Sequence, residues 1–148
     1  MATDSFCGVR VERKTNGNIW ACVGLRIVKW SHERFSTSLD ARLEVLVQPS
    51  QREVSQYDEI IDDCNGGIGR VYSHLLRSGK KIDFCVEVTS VVGAVCGPDN
   101  DRVDMDTFGF SASAVLGAIH LLREMRIIGD EKSIQGLMDQ QLENWRTA

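Results

Sequence analysis

Val9-Arg10-Val11-Glu12-Arg13-Lys14-Thr15-Asn16-Gly17-Asn18-Ile19-Trp20-Ala21-Cys22-Val23 is the stretch that decides the class of fold. Cys7, Val9 and Val11 alternate with Arg10 and Glu12, the period of two expected of a strand with one buried face. Asn16-Gly17 tolerates the positive φ angles of a type I′ turn, so the stretch predicts a β-hairpin turning there. The return strand sets Ile19, Ala21, Val23, Leu25 and Ile27 on one face and Trp20, Cys22, Arg26 and Trp30 on the other.

Beyond the hairpin, Ser31 to Arg34 reads as a turn. A third strand follows, with Leu39, Ala41, Leu43, Val45 and Val47 facing in and Asp40, Arg42 and Glu44 facing out. This predicts a three-stranded antiparallel meander with one wet face. Pro49 closes it, and Ser50 with Glu53 has the spacing of a capping box. Val54, Tyr57, Ile61, Cys64, Ile68, Val71 and Leu75 then recur at steps of three and four, the stripe of a helix from about Ser50 to Arg77. Gly66, Gly67 and Gly69 interrupt it, either as a kink or to let its backbone lie close against the sheet. Ser78-Gly79 ends it.

Ile82, Phe84, Val86 and Val88 mark a fourth strand from about Lys81 to Val92, and Gly97-Pro98-Asp99-Asn100-Asp101 is a loop. A fifth strand is predicted over Arg102 to Phe110. Ser111 or Ser113 then caps a second helix carrying Val115, Leu116, Ile119, Leu122 and Met125. Gly129 stops that helix, and Asp130 caps a third with Ile134, Leu137, Met138, Leu142 and Trp145. The order βββ-α-ββ-αα predicts an α+β fold, a mainly antiparallel sheet with helices packed on one face. At 148 residues the chain is expected to form a single domain.

With 43% hydrophobic and 26% charged residues the composition is that of a globular chain and excludes disorder. A net charge of −4 points away from nucleic acid, whose phosphates favour basic surfaces. The N-terminus lacks a basic start followed by an apolar run, and no stretch reaches the length of a membrane span. A cytoplasmic chain that contacts no membrane is therefore expected. Five cysteines, an odd number without repeated spacing, argue for reduced thiols acting as small hydrophobes.

Asn65-Gly66-Gly67-Ile68-Gly69-Arg70 invites a phosphate-loop reading. Such a loop needs its backbone N–H groups at a helix N-terminus after a strand, and here the glycines lie within a helical stripe behind Asp58, Glu59, Asp62 and Asp63. Packing explains them better. Asp99, Asp101, Asp104 and Asp106 suggest a cation loop, but Val103 breaks the alternation of ligands and no distal Glu follows. His32, His74 and His120 are dispersed without zinc spacing. A Cys85–His74 nucleophile pair is left open, since such partners meet in space, with a structural cysteine as the plainer reading. No catalytic residue, metal or cofactor is expected. The two acidic runs, and Trp20 with Trp30 if that sheet face is bare, are the candidate protein-binding residues.

Ile82-Asp83-Phe84-Cys85-Val86-Glu87-Val88, followed by a loop and then Phe108-Gly109-Phe110-Ser111-Ala112-Ser113-Ala114-Val115-Leu116, resembles the corresponding part of small bacterial immunity proteins, the antidotes to contact-dependent or polymorphic toxins. The third helix after Gly129 departs from that pattern, and the likeness assigns no functional residue. It implies a non-catalytic protein that binds and neutralises a cognate bacterial toxin, and the two acidic segments, Asp58 to Asp63 and Asp99 to Asp106, suit a basic toxin domain as that partner. The alternative is a small-molecule-binding module or small enzyme with a pocket between sheet and helices. The oligomeric state is not legible.

Overall fold

The computed structural model describes residues 8–13, 18–29, 35–48, 52–53, 57–96 and 108–147. Along the chain these form β1 (Val11–Arg13), β2 (Asn18–Lys29), β3 (Phe35–Gln48), β4 (Arg52–Glu53), α1 (Tyr57–Arg77), β5 (Phe84–Cys96), α2 (Phe108–Glu124) and α3 (Lys132–Thr147). Among the described residues there is one sheet, in the order β1-β2-β5-β3-β4. All its pairs are antiparallel except β3 with β5, which α1 joins as a crossover. The fold is α+β, as the sequence predicts.

The meander is not. β2 and β3 alternate like hairpin partners, but β5 lies between them. The reason is in the composition of β5: Phe84, Cys85, Val86 and Val88 are all buried, and Val91 and Ala94 with them. A strand buried on both faces, its one carboxylate Glu87 included, is stable only at the centre of a sheet, with neighbours on each side. The β1–β2 hairpin itself holds, with Arg13 paired to Ile19, and its turn at Asn16-Gly17 lies outside the described residues. In β3 the pairing to β5 breaks between Thr37 and Arg42, and Leu39, expected to face in, is fully exposed.

The helix-side face of the sheet presents Ala21, Val23, Leu25, Val45, Val47, Val86, Val88 and Val91. Against it α1 lays Ile60, Cys64, Ile68, Val71 and Leu75, and α2 lays Phe110, Val115, Ile119 and Leu122. Each such aliphatic or aromatic side chain taken from water contributes roughly 1.5–3 kcal/mol. α1 begins at Tyr57, not Ser50: Arg52 and Glu53 pair with β3 as β4, and Ser50 and Val54 of the expected helix start lie outside the described residues. The start of the helix also rotates, burying Ile60 and leaving Ile61 half-buried. Gly79, at φ 78°, closes α1 with bonds from Lys80 N–H to the Leu75 carbonyl and from Gly79 N–H to that of Leu76, a Schellman cap.

α2 is buried almost all round because it lies between the sheet, α1 and α3. Phe108 to Phe110, expected to end a strand, are its first turn, and Ser111 and Ser113 are therefore interior residues, not caps. Ser113 Oγ accepts the Val23 N–H at 2.9 Å and donates to the Val9 carbonyl at 2.6 Å, tying α2 to β2 where β1 no longer covers its edge. α2 stops at Glu124, ahead of Gly129, with Arg126 in the left-handed conformation. Asp130 sits 3.6 Å from Arg123, and the α3 start is instead framed by Glu131, whose Oε2 accepts the Gly129 N–H. Among the described residues, no helix is long and apolar enough to cross a membrane.

Candidate functional site

α1 carries both of the features on which a binding surface can be built. The residues opposite its buried stripe are acidic in its first half: Asp58, Glu59 and Asp62 are exposed and Asp63 is half-buried. Asp58 and Glu59 occupy the first turn, where the partial positive charge of the helix end favours carboxylates. None of the four takes part in an ion pair among the described residues. Elsewhere the surface carboxylates Glu12, Glu44, Glu124 and Glu131 pair with Arg10, Arg42, His120 and Lys80. Asp63 also adds to the burial that pushes the Cys64 thiol far above its ordinary range, so Cys64 is a neutral core residue.

The second half of the same helix is basic and hollowed. A groove of about 560 Å3 runs over Gly66, Gly69, Arg70, Ser73 and Arg77, with Phe35 of β3 on one side and Leu137 and Gln140 of α3 on the other. Gly69 brings the helix backbone against the Phe35 ring, and Gly66 leaves open space. Arg70 is held in place: one terminal nitrogen donates to Ser111 Oγ at 2.7 Å and to Gln141 Oε1 at 2.8 Å. Arg77 Nε donates to the Ser73 carbonyl. Both arginines are bonded to neutral acceptors, so their charge is not cancelled by these contacts.

Asp99, Asp101, Asp104, Asp106 and Trp30 lie outside the described residues. Trp20 is half-buried on the sheet face away from the helices, with the Arg10 guanidinium 4.4 Å from its ring. α3 packs on α2, on the helical side of the sheet. The far face also holds Glu87, nearly buried in a cross-strand row with Arg26 and Ser36, both of which donate to its carboxylate.

Cys85 is buried on that same far face rather than exposed, while His74 on α1 meets Ser133 Oγ on the helical side. The sheet separates the two, and no nucleophile pair forms between them. Among the described residues no group of three metal-ligating side chains converges. The glycine run lies ten residues into α1, where its backbone N–H groups serve the helix and not a phosphate.

The groove is what the sequence reading missed. Arg70 and Arg77 at a spacing of seven on the polar face were a readable sign, but Phe35, Leu137 and Gln140 come from segments far apart in sequence. The chain matches no family model, no curated protein and no solved structure.

Proposed function

We propose that this chain is a non-catalytic protein-binding domain of the immunity-protein kind, which neutralises a bacterial toxin by docking the toxin's basic surface on the acidic half of α1. The observation that carries this reading is the row Asp58, Glu59 and Asp62, exposed on a rigid helix and without ion pairs among the described residues. Carboxylates that repel one another are costly to keep together, and a basic partner recovers that cost on docking. Their fixed positions on a helix also mean little ordering is needed on binding.

The test begins with capture of the partner from the native host and continues with association kinetics at two salt concentrations. In the variant Asp58→Lys with Asp62→Lys, association is expected to slow by about tenfold or more and to lose most of its salt dependence, with dissociation little changed. Unchanged kinetics in a correctly folded variant would place the interface elsewhere, and the Trp20 face is the next candidate.

A further inference from the structure

We propose that the groove over the second half of α1 binds a small organic anion, a phosphate or carboxylate carried on a flat or apolar body. This site is separate from the acidic half of the helix and stands independently of the protein-binding reading. Its volume of about 560 Å3 falls in the range of small-molecule sites, roughly 300–1,000 Å3. Its chemistry is mixed in the way such sites require. Phe35, seated against Gly69, and Leu137 give two apolar walls, Gly66 leaves open space beside the helix, and Arg70, Arg77 and Gln140 supply donors.

The cations decide the class of ligand. No carboxylate lines the groove among the described residues, and because Asp62 and Asp63 stand one turn before Gly66, an anionic head belongs at the Arg70–Arg77 end. Arg70 is oriented before any ligand arrives, because its bonds to Ser111 and Gln141 use one terminal nitrogen. Its Nε and second amino group are left to form the planar fork that fits carboxylate or phosphate. Arg77 is seven residues on, about 10 Å along the helix axis, on the same face. One guanidinium can hold the head of a ligand while its body lies along Phe35 towards the other.

The proposal is tested on the full chain by amide NMR, adding four probes at constant ionic strength. Naphthyl phosphate and naphthoate share a body and differ in head, naphthalene methanol keeps the body without charge, and inorganic phosphate has the head alone. At least one of the two anionic naphthyl probes is expected to shift the Gly66, Gly69, Ser73 and Gln140 amides in a saturable way. Which of the two binds more tightly distinguishes a phosphate from a carboxylate ligand. Naphthalene methanol and inorganic phosphate are each expected to bind at least tenfold more weakly than the better anion. Arg77→Gln, an exposed change with no packing role, is expected to weaken that anion by about tenfold or more. Arg70→Lys keeps the charge but not the fork, and should also weaken it. Absence of saturable shifts with both anions, equal binding of naphthalene methanol, or unaltered affinity in folded Arg77→Gln would each overturn the proposal.

Discussion

Gly66 and Gly67 are neighbours in α1, yet an added methyl group meets different surroundings at each. At Gly67 it would stand 2.6 Å from the Ser111 carbonyl oxygen, a backbone atom of α2 that cannot turn aside. At Gly66 nothing lies within 4 Å. Gly67→Ala is therefore expected to destabilise the protein by about 1–3 kcal/mol through overpacking. Gly66→Ala is expected to stabilise it by about 1 kcal/mol through helix propensity alone. Urea unfolding of the two variants checks this, and equal effects would show that the α1–α2 contact does not depend on Gly67. The sequence made a packing role for the run legible, because glycines inside an apolar stripe cost propensity and need a return. Which glycine supplies the return was not legible, since the contacting backbone arrives from α2, more than forty residues later. The same limit hid the roles of Ser111 and Ser113, whose partners Arg70 and Val23 are equally remote.

Periodicity identified most of the elements at their scale, and the neighbours of each were harder to read. Alternation in β2 and β3 depends only on which residues point to the core, so it is the same whether the strands touch or a third strand separates them. The apolar stretch Val91-Val92-Gly93-Ala94-Val95-Cys96, which follows the alternating start of β5, was the available sign of a central position. Element ends follow local chemistry more closely. α1 ends on Gly79 at φ 78°, and α2 ends in the same way on Arg126 at φ 59°. There the Ile127 N–H reaches the Leu122 carbonyl and the Arg126 N–H that of Arg123. Left-handed backbone costs a side chain with a Cβ roughly 1–2 kcal/mol, and glycine nothing comparable. Arg126 is exposed, so little packing is lost on its replacement. Arg126→Gly is thus expected to raise stability by about 1 kcal/mol, read as a higher denaturant midpoint with unchanged slope. A lower midpoint would mean that the arginine side chain contributes more than its backbone costs.

Across the whole molecule, charge and burial are arranged so that the polar face of α1 is available and its other face is committed to the core. The acidic half of that polar face was legible from Asp58 to Asp63 alone. The groove was not, because it exists only once β3 and α3 flank the helix. Cys64 reports on the committed face. Its burial among apolar side chains, reinforced by Asp63, raises its thiol well above the ordinary value of 9.0. The folded state therefore holds the thiol proton more tightly than the unfolded chain does. Below pH 9.0 both states are protonated and Cys64 adds no pH dependence. As pH rises beyond that value, the unfolded chain releases the proton while the fold keeps it, and stability falls by up to about 1.4 kcal/mol per pH unit. Cys64→Ala removes this slope and introduces a cavity cost that does not vary with pH. The stability advantage of the native protein over Cys64→Ala is expected to be constant from about pH 7 to about pH 8.5 and to shrink steadily above that range. Because every other titrating group is common to both proteins, the difference between their urea-unfolding curves isolates the thiol. Parallel pH profiles up to about pH 10 would mean that Cys64 is solvated in the folded state and that the α1 stripe is not sealed against the sheet.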